Sequence, residues 1–397
     1  MTERLYYDNA YLTEFDATVL ECRPNGGCFD VLLDRSAFYP TSGGQPYDTG
    51  VLGSARVTDV QVTDQLVWHT VDQPLPCGET VHGRIDWERR FDHMQQHAAD
   101  HMIAGTLHSM LGGVTIGLHI SDEFSTIDVA MPDGVTRISA DDIRRIEWRV
   151  NEQIQRDVPV RCWFPEEEEL KQLPLRKPPT VSEHVRIVAI GDSEMVACGG
   201  THPSSAGQLG LVKIVSVAPS RGKMRVSFVA GKRALKNYFQ CFEAAHAAAG
   251  SISANVENLA ASVSAMQSRL AAAEAEVSRC KKEMLFAGIP GMLAQAQALP
   301  NGARLVACFV EADLAQLKDL ASRIIEQPGM IALLGAMNGE QAVYAFGRSA
   351  DVNADMGGLL RASAQLCGGK GGGRPDFAQG GGSPAMLEAA RAAITNS

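Results

Sequence analysis

The stretch WERRFDHMQQHAADHMIAGTLHSML, residues 87–111, divides the chain into two kinds of fold. Apolar residues recur in it every three to four positions, the period of a helix with one buried face, and Gly112-Gly113 supplies its stop. Upstream the pattern changes. Residues 28–34, 55–62 and 66–71 are short extended runs, bounded by clusters such as Pro24-Asn25-Gly26-Gly27. β-Branched and aromatic residues at that spacing predict a small all-β domain, a barrel, over 1–86. Downstream, a second helix follows the N-cap candidate Ser139, with Ile143, Ile146, Val150 and Ile154 as its buried stripe. Strand signals return at 186–190, 212–217 and 224–230, so 87–234 reads as an α+β domain, a sheet packed on two helices.

From residue 235 to 289 the reading is helical. Ile252, Val256, Leu259, Val263, Met266 and Leu270 begin a run of alternating steps of four and three that continues to Met284, predicting a coiled-coil arm. Its alanines suit close packing on a second helix that starts near Leu235. Past Pro290, strands at 303–311, 330–334 and 342–347 with a helix at 313–326 predict a small α/β domain over 290–397. It closes in a glycine-rich run, 368–382, read as a loop, and a terminal helix at 384–394. The expected fold class is α+β and multidomain: N-terminal β-barrel, α+β domain, helical coiled-coil arm and small C-terminal α/β domain.

Thirty-six Lys plus Arg against 46 Asp plus Glu leave a net charge of −10, which excludes a broadly basic, non-specific nucleic-acid coat. From Asn237 onward there are 12 basic and 14 acidic residues, so any phosphate contact there is local. Nine scattered cysteines without a CxxC pair read as reduced thiols of a cytoplasmic protein. No stretch reaches 18 uninterrupted apolar residues and the N-terminus lacks a secretory pattern, so no membrane partner is expected. Trp87, Trp148 and Trp163 read as core or boundary residues, and Glu166 to Glu169 as a solvated face.

Two short stretches carry chemistry. In QHAADH, residues 96–101, His97 and His101 stand at i and i+4 on one helix face. In ACGGTH, residues 197–202, two glycines allow a sharp turn that brings Cys198 and His202 together. Two imidazoles from a helix and a Cys–His pair from a tight loop make a nitrogen/sulfur set suited to Zn²⁺. His93 and His97 share the same spacing, so spacing alone does not choose the pair. A closed four-ligand site is usually structural, whereas a catalytic zinc keeps a position for water; the residues leave both readings open.

CGGTHPSSAGQLGLVKI, residues 198–214, resembles the signature of alanyl-tRNA synthetase editing domains and of the free-standing alanyl-tRNA editing proteins. FYPTSGGQ, residues 38–45, is similar to a segment of the family's N-terminal β-barrel, and the glycine run resembles the end of its DHHA1-type domain. No class II aminoacylation motif is found beside them. The resemblance implies a trans-editing hydrolase that deacylates mischarged Ser-tRNA(Ala), and by extension Gly-tRNA(Ala), with Zn²⁺ held by His97, His101, Cys198 and His202. It implies that Thr41 senses the serine hydroxyl and Gln45 supplies a polar contact near the pocket. Gly43 and Gly44 are then expected to approach the tRNA acceptor end, and Lys370 and Arg374 to contact RNA phosphates. A homodimer through the coiled coil or C-terminal domain is a further expectation. Two departures stand out: Ala98 replaces the family's threonine, and Asp100 either bonds a neighbouring histidine or, the favoured reading, turns to solvent. The alternatives are a non-catalytic tRNA-binding protein with a structural zinc, and a small-ester hydrolase that leaves the C-terminal third without a role.

Overall fold

The computed structural model describes residues 2–135, 137–179, 181 and 183–396. The fold is mixed α+β and multidomain, with two compact units, residues 1–250 and 251–397.

In the first unit, six strands, β1 (Glu14–Asn25), β2 (Cys28–Leu33), β3 (Gly50–Leu52), β4 (Ala55–Thr63), β5 (Leu66–Val71) and β6 (Thr80–Ile85), close on themselves. Their order is β1-β2-β5-β4-β3-β6, every pair antiparallel. Strict alternation puts Val67, His69 and Val71 of β5 and Val81 and Ile85 of β6 inside, around Phe38 and Leu52. The one imidazole in this core, His69, is satisfied by the Ser36 hydroxyl at 2.7 Å and the Val31 carbonyl at 3.2 Å.

Helix α1 (Trp87–Leu111) starts under the N-cap of Asp86 and ends at Gly112, whose φ is +69°. Arg90, in its first turn, is wholly buried. A buried guanidinium is tolerated only when its donors are matched. Asp48 of the barrel accepts from Nε at 2.9 and 3.1 Å and from Nη2, while the carbonyls of Ala10 and Ala37 take 2.9 and 2.6 Å bonds. That cluster locks the helix onto the barrel.

Around α1 stand β7 (Val114–Ile120), β8 (Ser125–Ala130), α2 (Ala140–Gln155), β9 (Val160–Trp163), β10 (Ile187–Ile190), β11 (Glu194–Ala197), β12 (Val212–Ser220), β13 (Lys223–Ala230) and α3 (Gly231–Ser251). They form the sheets β12-β13-β8-β7 and β9-β10-β11. Met102, Ile103 and Leu107 of α1 share one core with Ile146, Val150 and Ile154 of α2 and Phe228 of β13. Trp148 does not belong to it. It sits on the opposite face of α2 and is 79% exposed, correcting the expectation of a core or boundary tryptophan.

The second unit contains α4 (Leu259–Ala287), a 29-residue helix none of whose residues is buried. The apolar repeat is expected to be helical from Ile252, but 252–258 form a turn and a short 3₁₀ segment. Ser253 takes the left-handed conformation there at φ +53°, which an α-helix does not accept. Then come β14 (Gln297–Ala298), β15 (Arg304–Phe309), α5 (Leu314–Ile325), β16 (Met330–Asn338), β17 (Gln341–Arg348), α6 (Met356–Cys367), β18 (Gly369–Gly373), β19 (Phe377–Gly382) and α7 (Met386–Thr395). The sheet order is β14-β15-β16-β17-β19-β18, with β15 and β16 parallel. Leu317, Leu320 and Ile324 of α5 pack with Leu334 in one core, and Met356, Leu360 and Met386 pack with Leu333 and Phe346 in another. The glycine run is therefore a hairpin rather than a loop. Gly371 opposes Gly380, and a Cβ on Gly371 would meet the Gly380 Cα at 2.6 Å, so bare backbone is what lets the strands sit there.

Candidate metal centre

The helix α1 carries His97 and His101 on one face, both buried. Strand β11 delivers the chain into the loop 198–202, whose path is held by Arg186. Its backbone carbonyl accepts from the Cys198 N–H at 2.9 Å, and its Nη1 donates to the carbonyls of Gly200 at 2.7 Å and Cys198 at 3.1 Å. A donor atom from each of His97, His101, Cys198 and His202 then falls within 4.8 Å of the others. Cys198 Sγ is 3.4 Å from Nε2 of both His97 and His202. Gly200 has to be glycine for this approach: a Cβ there would lie 2.1 Å from Cε1 of His97. His93, the rival by spacing, is buried on the same helix but outside the group. Burial, then the nearby arginines, pushes its pKa down to about 3.

The donor set suits a zinc ion. Burial pushes the Cys198 thiol up, but the imidazoles of His97 and His101 outweigh burial and hold it well below its ordinary value, favouring the thiolate that metals bind. Among the described residues, the buried Nδ1 of His202 has no hydrogen-bond partner.

A barrel residue orients His97, and a strand residue faces His101. Gln45, fully buried, accepts at Oε1 from the Thr201 N–H at 3.2 Å and donates from Nε2 to the Thr201 hydroxyl at 2.7 Å. The Thr201 amide can only donate, so Oε1 is the acceptor, and His97 Nδ1, 2.8 Å from it, must carry its proton. The Nε2 lone pair of His97 is thereby left for the cluster. Gln45 thus fixes the tautomer and orientation of the His97 ring.

On the other side, Glu194 Oε1 stands 3.7 Å from His101 Nδ1, and Arg176 Nε is 2.9 Å from both Glu194 oxygens. Arg176 Nη1 also donates to the Thr115 hydroxyl at 2.6 Å. Burial pushes the Glu194 carboxyl up, and the nearby imidazole of His101 and the two bonds from Arg176 outweigh that and hold it below its ordinary value. Neither Glu194 nor Arg176 stands out in the sequence. The available signals are an acid opening the strand four residues before Cys198, and a cation in the Pro-rich stretch 174–179. Asp100 is buried rather than solvent-facing, its Oδ1 finds no partner among the described residues, and burial raises its pKa.

The SGGQ segment is a tight turn closed by the Ser42 and Gln45 backbones at 2.9 and 3.1 Å. Gly44 docks it onto β7: its carbonyl accepts from Ile120 N–H at 3.1 Å, and a Cβ on it would lie 2.2 Å from the Leu118 oxygen. Thr41 and Gly43 are exposed, with the Thr41 N–H bonded to Val60 O at 3.0 Å. In the second unit, Lys370 lies on β18 and Arg374 in the hairpin turn, both exposed, Arg374 paired with Asp376 at 3.2 Å.

Residues 7–89 match the family model described as tRNA synthetases class II (A), 185–226 the threonyl and alanyl tRNA synthetase second additional domain, and 302–397 the DHHA1 domain. The alanine–tRNA ligase of Pyrococcus abyssi is 31% identical over 392 residues, covering 96% of this chain and 42% of the ligase. That of Methanothrix thermoacetophila is 33% identical over 401 residues, covering 96% of this chain and 42% of the ligase. The chain thus spans less than half the length of these relatives. The segment that holds Gln45, the segment that holds the Cys198–His202 pair and the C-terminal DHHA1 segment are all matched in order, so the chain is similar to the alanine–tRNA ligases along nearly its whole length.

Proposed function

We propose that the chain is a trans-editing hydrolase that deacylates Ser-tRNA(Ala), with Gly-tRNA(Ala) as its second substrate, at a zinc-containing site. The observation that carries this reading is the convergence of His97, His101, Cys198 and His202 within 4.8 Å. Zinc bound there would polarise the ester carbonyl that joins the amino acid to the terminal ribose, or a water beside it. The remaining work falls to the chain's own residues. Gln45 holds the ring of His97 in place before any ligand arrives, and Glu194 sets a carboxylate charge beside His101. An aminoacyl ester is already labile, so positioning supplies most of what hydrolysis needs. Thr41 offers a hydroxyl to the serine hydroxyl. Alanine lacks that group and leaves a polar atom unpaired, which is the kind of difference that discriminates. Gly43 and Gly44 give the acceptor end a bare backbone to approach, and Lys370 and Arg374 add phosphate contacts. The partner is tRNA(Ala) in the cytoplasm, and the exposed seam of α4 is the surface on which a second copy would pair.

The test is deacylation of Ser-, Gly- and Ala-tRNA(Ala) by the purified full-length chain. Ser-tRNA(Ala) is expected to be hydrolysed much faster than Ala-tRNA(Ala); equal rates overturn the editing reading. In the same assay Thr41→Val should lower the serine-to-alanine rate ratio about tenfold, with zinc content unchanged. The closed four-donor set also fits a structural zinc in a non-catalytic tRNA-binding protein. Bound zinc and tRNA without hydrolysis of any charged form would select that reading.

A further inference from the structure

We propose that Trp148 and the arginines around it form a nucleic-acid contact on the first unit: an unpaired base of the bound RNA stacks on the indole while its phosphates meet the guanidiniums. The inference rests on the RNA substrate proposed above. Helix α2 buries Ile146, Val150 and Ile154, yet turns the largest side chain it carries to solvent, where Trp148 is 79% exposed. An indole left open to water gains nothing for the fold.

Its neighbours are cationic. Arg144 and Arg145 stand four and three residues before Trp148, on the same helix surface, and Arg149 follows it. With Met110 from the end of α1 they line a hollow of about 510 Å³. Acids are present too, but they do not neutralise it. Arg144 and Arg145 rest on Asp141 at 2.6 Å and Asp142 at 3.4 Å, exposed one-turn pairs of the kind that contribute little and are easily exchanged for phosphate. Glu152 is engaged by Arg156 at 2.5 Å. Among the described residues, no carboxylate pairs with Arg149.

An exposed aromatic ringed by guanidiniums is the chemistry of a stacking platform with phosphate contacts. A protein partner would call for an apolar surround, and here the rim is charged. The location also fits. Met110 lies nine residues beyond His101, about 14 Å along a straight helix. A strand whose 3′ end sits at the metal cluster therefore has the hollow within a few nucleotides of its path.

The experiment uses the full-length, zinc-loaded chain with uncharged tRNA(Ala) as the probe, read by both affinity and tryptophan emission. Binding should quench part of the emission in the parent, and Trp148→Phe should lose that part while keeping most of the affinity. Trp148→Ala should weaken binding about tenfold, and Arg149→Glu should weaken it while flattening its salt dependence, with zinc content and unfolding midpoint held. A parent that binds with Trp148→Ala matching it within twofold, and an unaltered quench in Trp148→Phe, would overturn the platform alone. A parent that retains no tRNA would overturn the functional reading with it. A Trp148-dependent dimer with unchanged RNA affinity would assign the face to a second copy and also overturn the inference.

Discussion

Gln45 decides which nitrogen His97 offers to a ligand, and Glu194 faces the corresponding nitrogen of His101, so the ordering of the site lies as much in these two as in the four donors. Supports of this kind set ligand basicity and ring orientation. Glu194→Gln, which keeps shape and removes charge, should weaken zinc binding about ten- to a hundred-fold in competition with a chromogenic chelator. Unchanged affinity would mean that packing alone orients His101. The meeting of His97, His101, Cys198 and His202 was legible because each pair sits at a spacing of four, which a helix or a glycine turn converts into proximity. Glu194 and Arg176 were not legible. They meet across 18 residues, through a Pro-rich stretch whose path no periodicity describes. Asp100 misled for a related reason: an acid on a helix is expected to face water, and only the packing around α1 closes it in.

At the scale of single elements, β5 carries an ionisable group into an apolar interior. Burial pushes the His69 pKa down to about 4 from 6.5. The unfolded chain therefore takes up a proton below about 6.5 that the folded one refuses, so this contribution is complete above that pH and is lost as pH falls toward 4. Between pH 7 and pH 5 the parent should lose about 2 kcal/mol more stability than His69→Gln, measured by urea unfolding of each at both values. Equal losses would mean that the imidazole is hydrated. Elements also mark where reading by pattern succeeds and fails. The change of period at Trp87 does open a helix that runs to Leu111. The apolar repeat from Ile252 overreaches, because counting apolar positions says nothing of the left-handed backbone at Ser253. The run 368–382 has the composition of a linker, and only the facing glycines 371 and 380 reveal a pair of strands.

For the whole molecule, the donors and both of their supports lie within residues 1–250, which have their own apolar core. A fragment ending at Gly250 should fold, hold one equivalent of zinc and lose tRNA affinity. The loss should carry a shallow salt dependence, a slope change near two, since Lys370 and Arg374 are the cations placed in that role. A fragment with full affinity but no deacylation would assign the second unit to assembling the site instead. Cys198 lies 101 positions from His97, so a metal seated between them closes a ring in the polypeptide. A ring of that size removes about 4.7 kcal/mol of chain entropy from the denatured ensemble for as long as the link survives. Stripping the metal with a strong chelator should therefore do two things at once: lower the denaturant midpoint, and steepen the transition as the opened chain exposes more surface. A lower midpoint with an unchanged slope would mean that the ion departs as the chain unfolds, acting as a ligand of the native state rather than as a clasp.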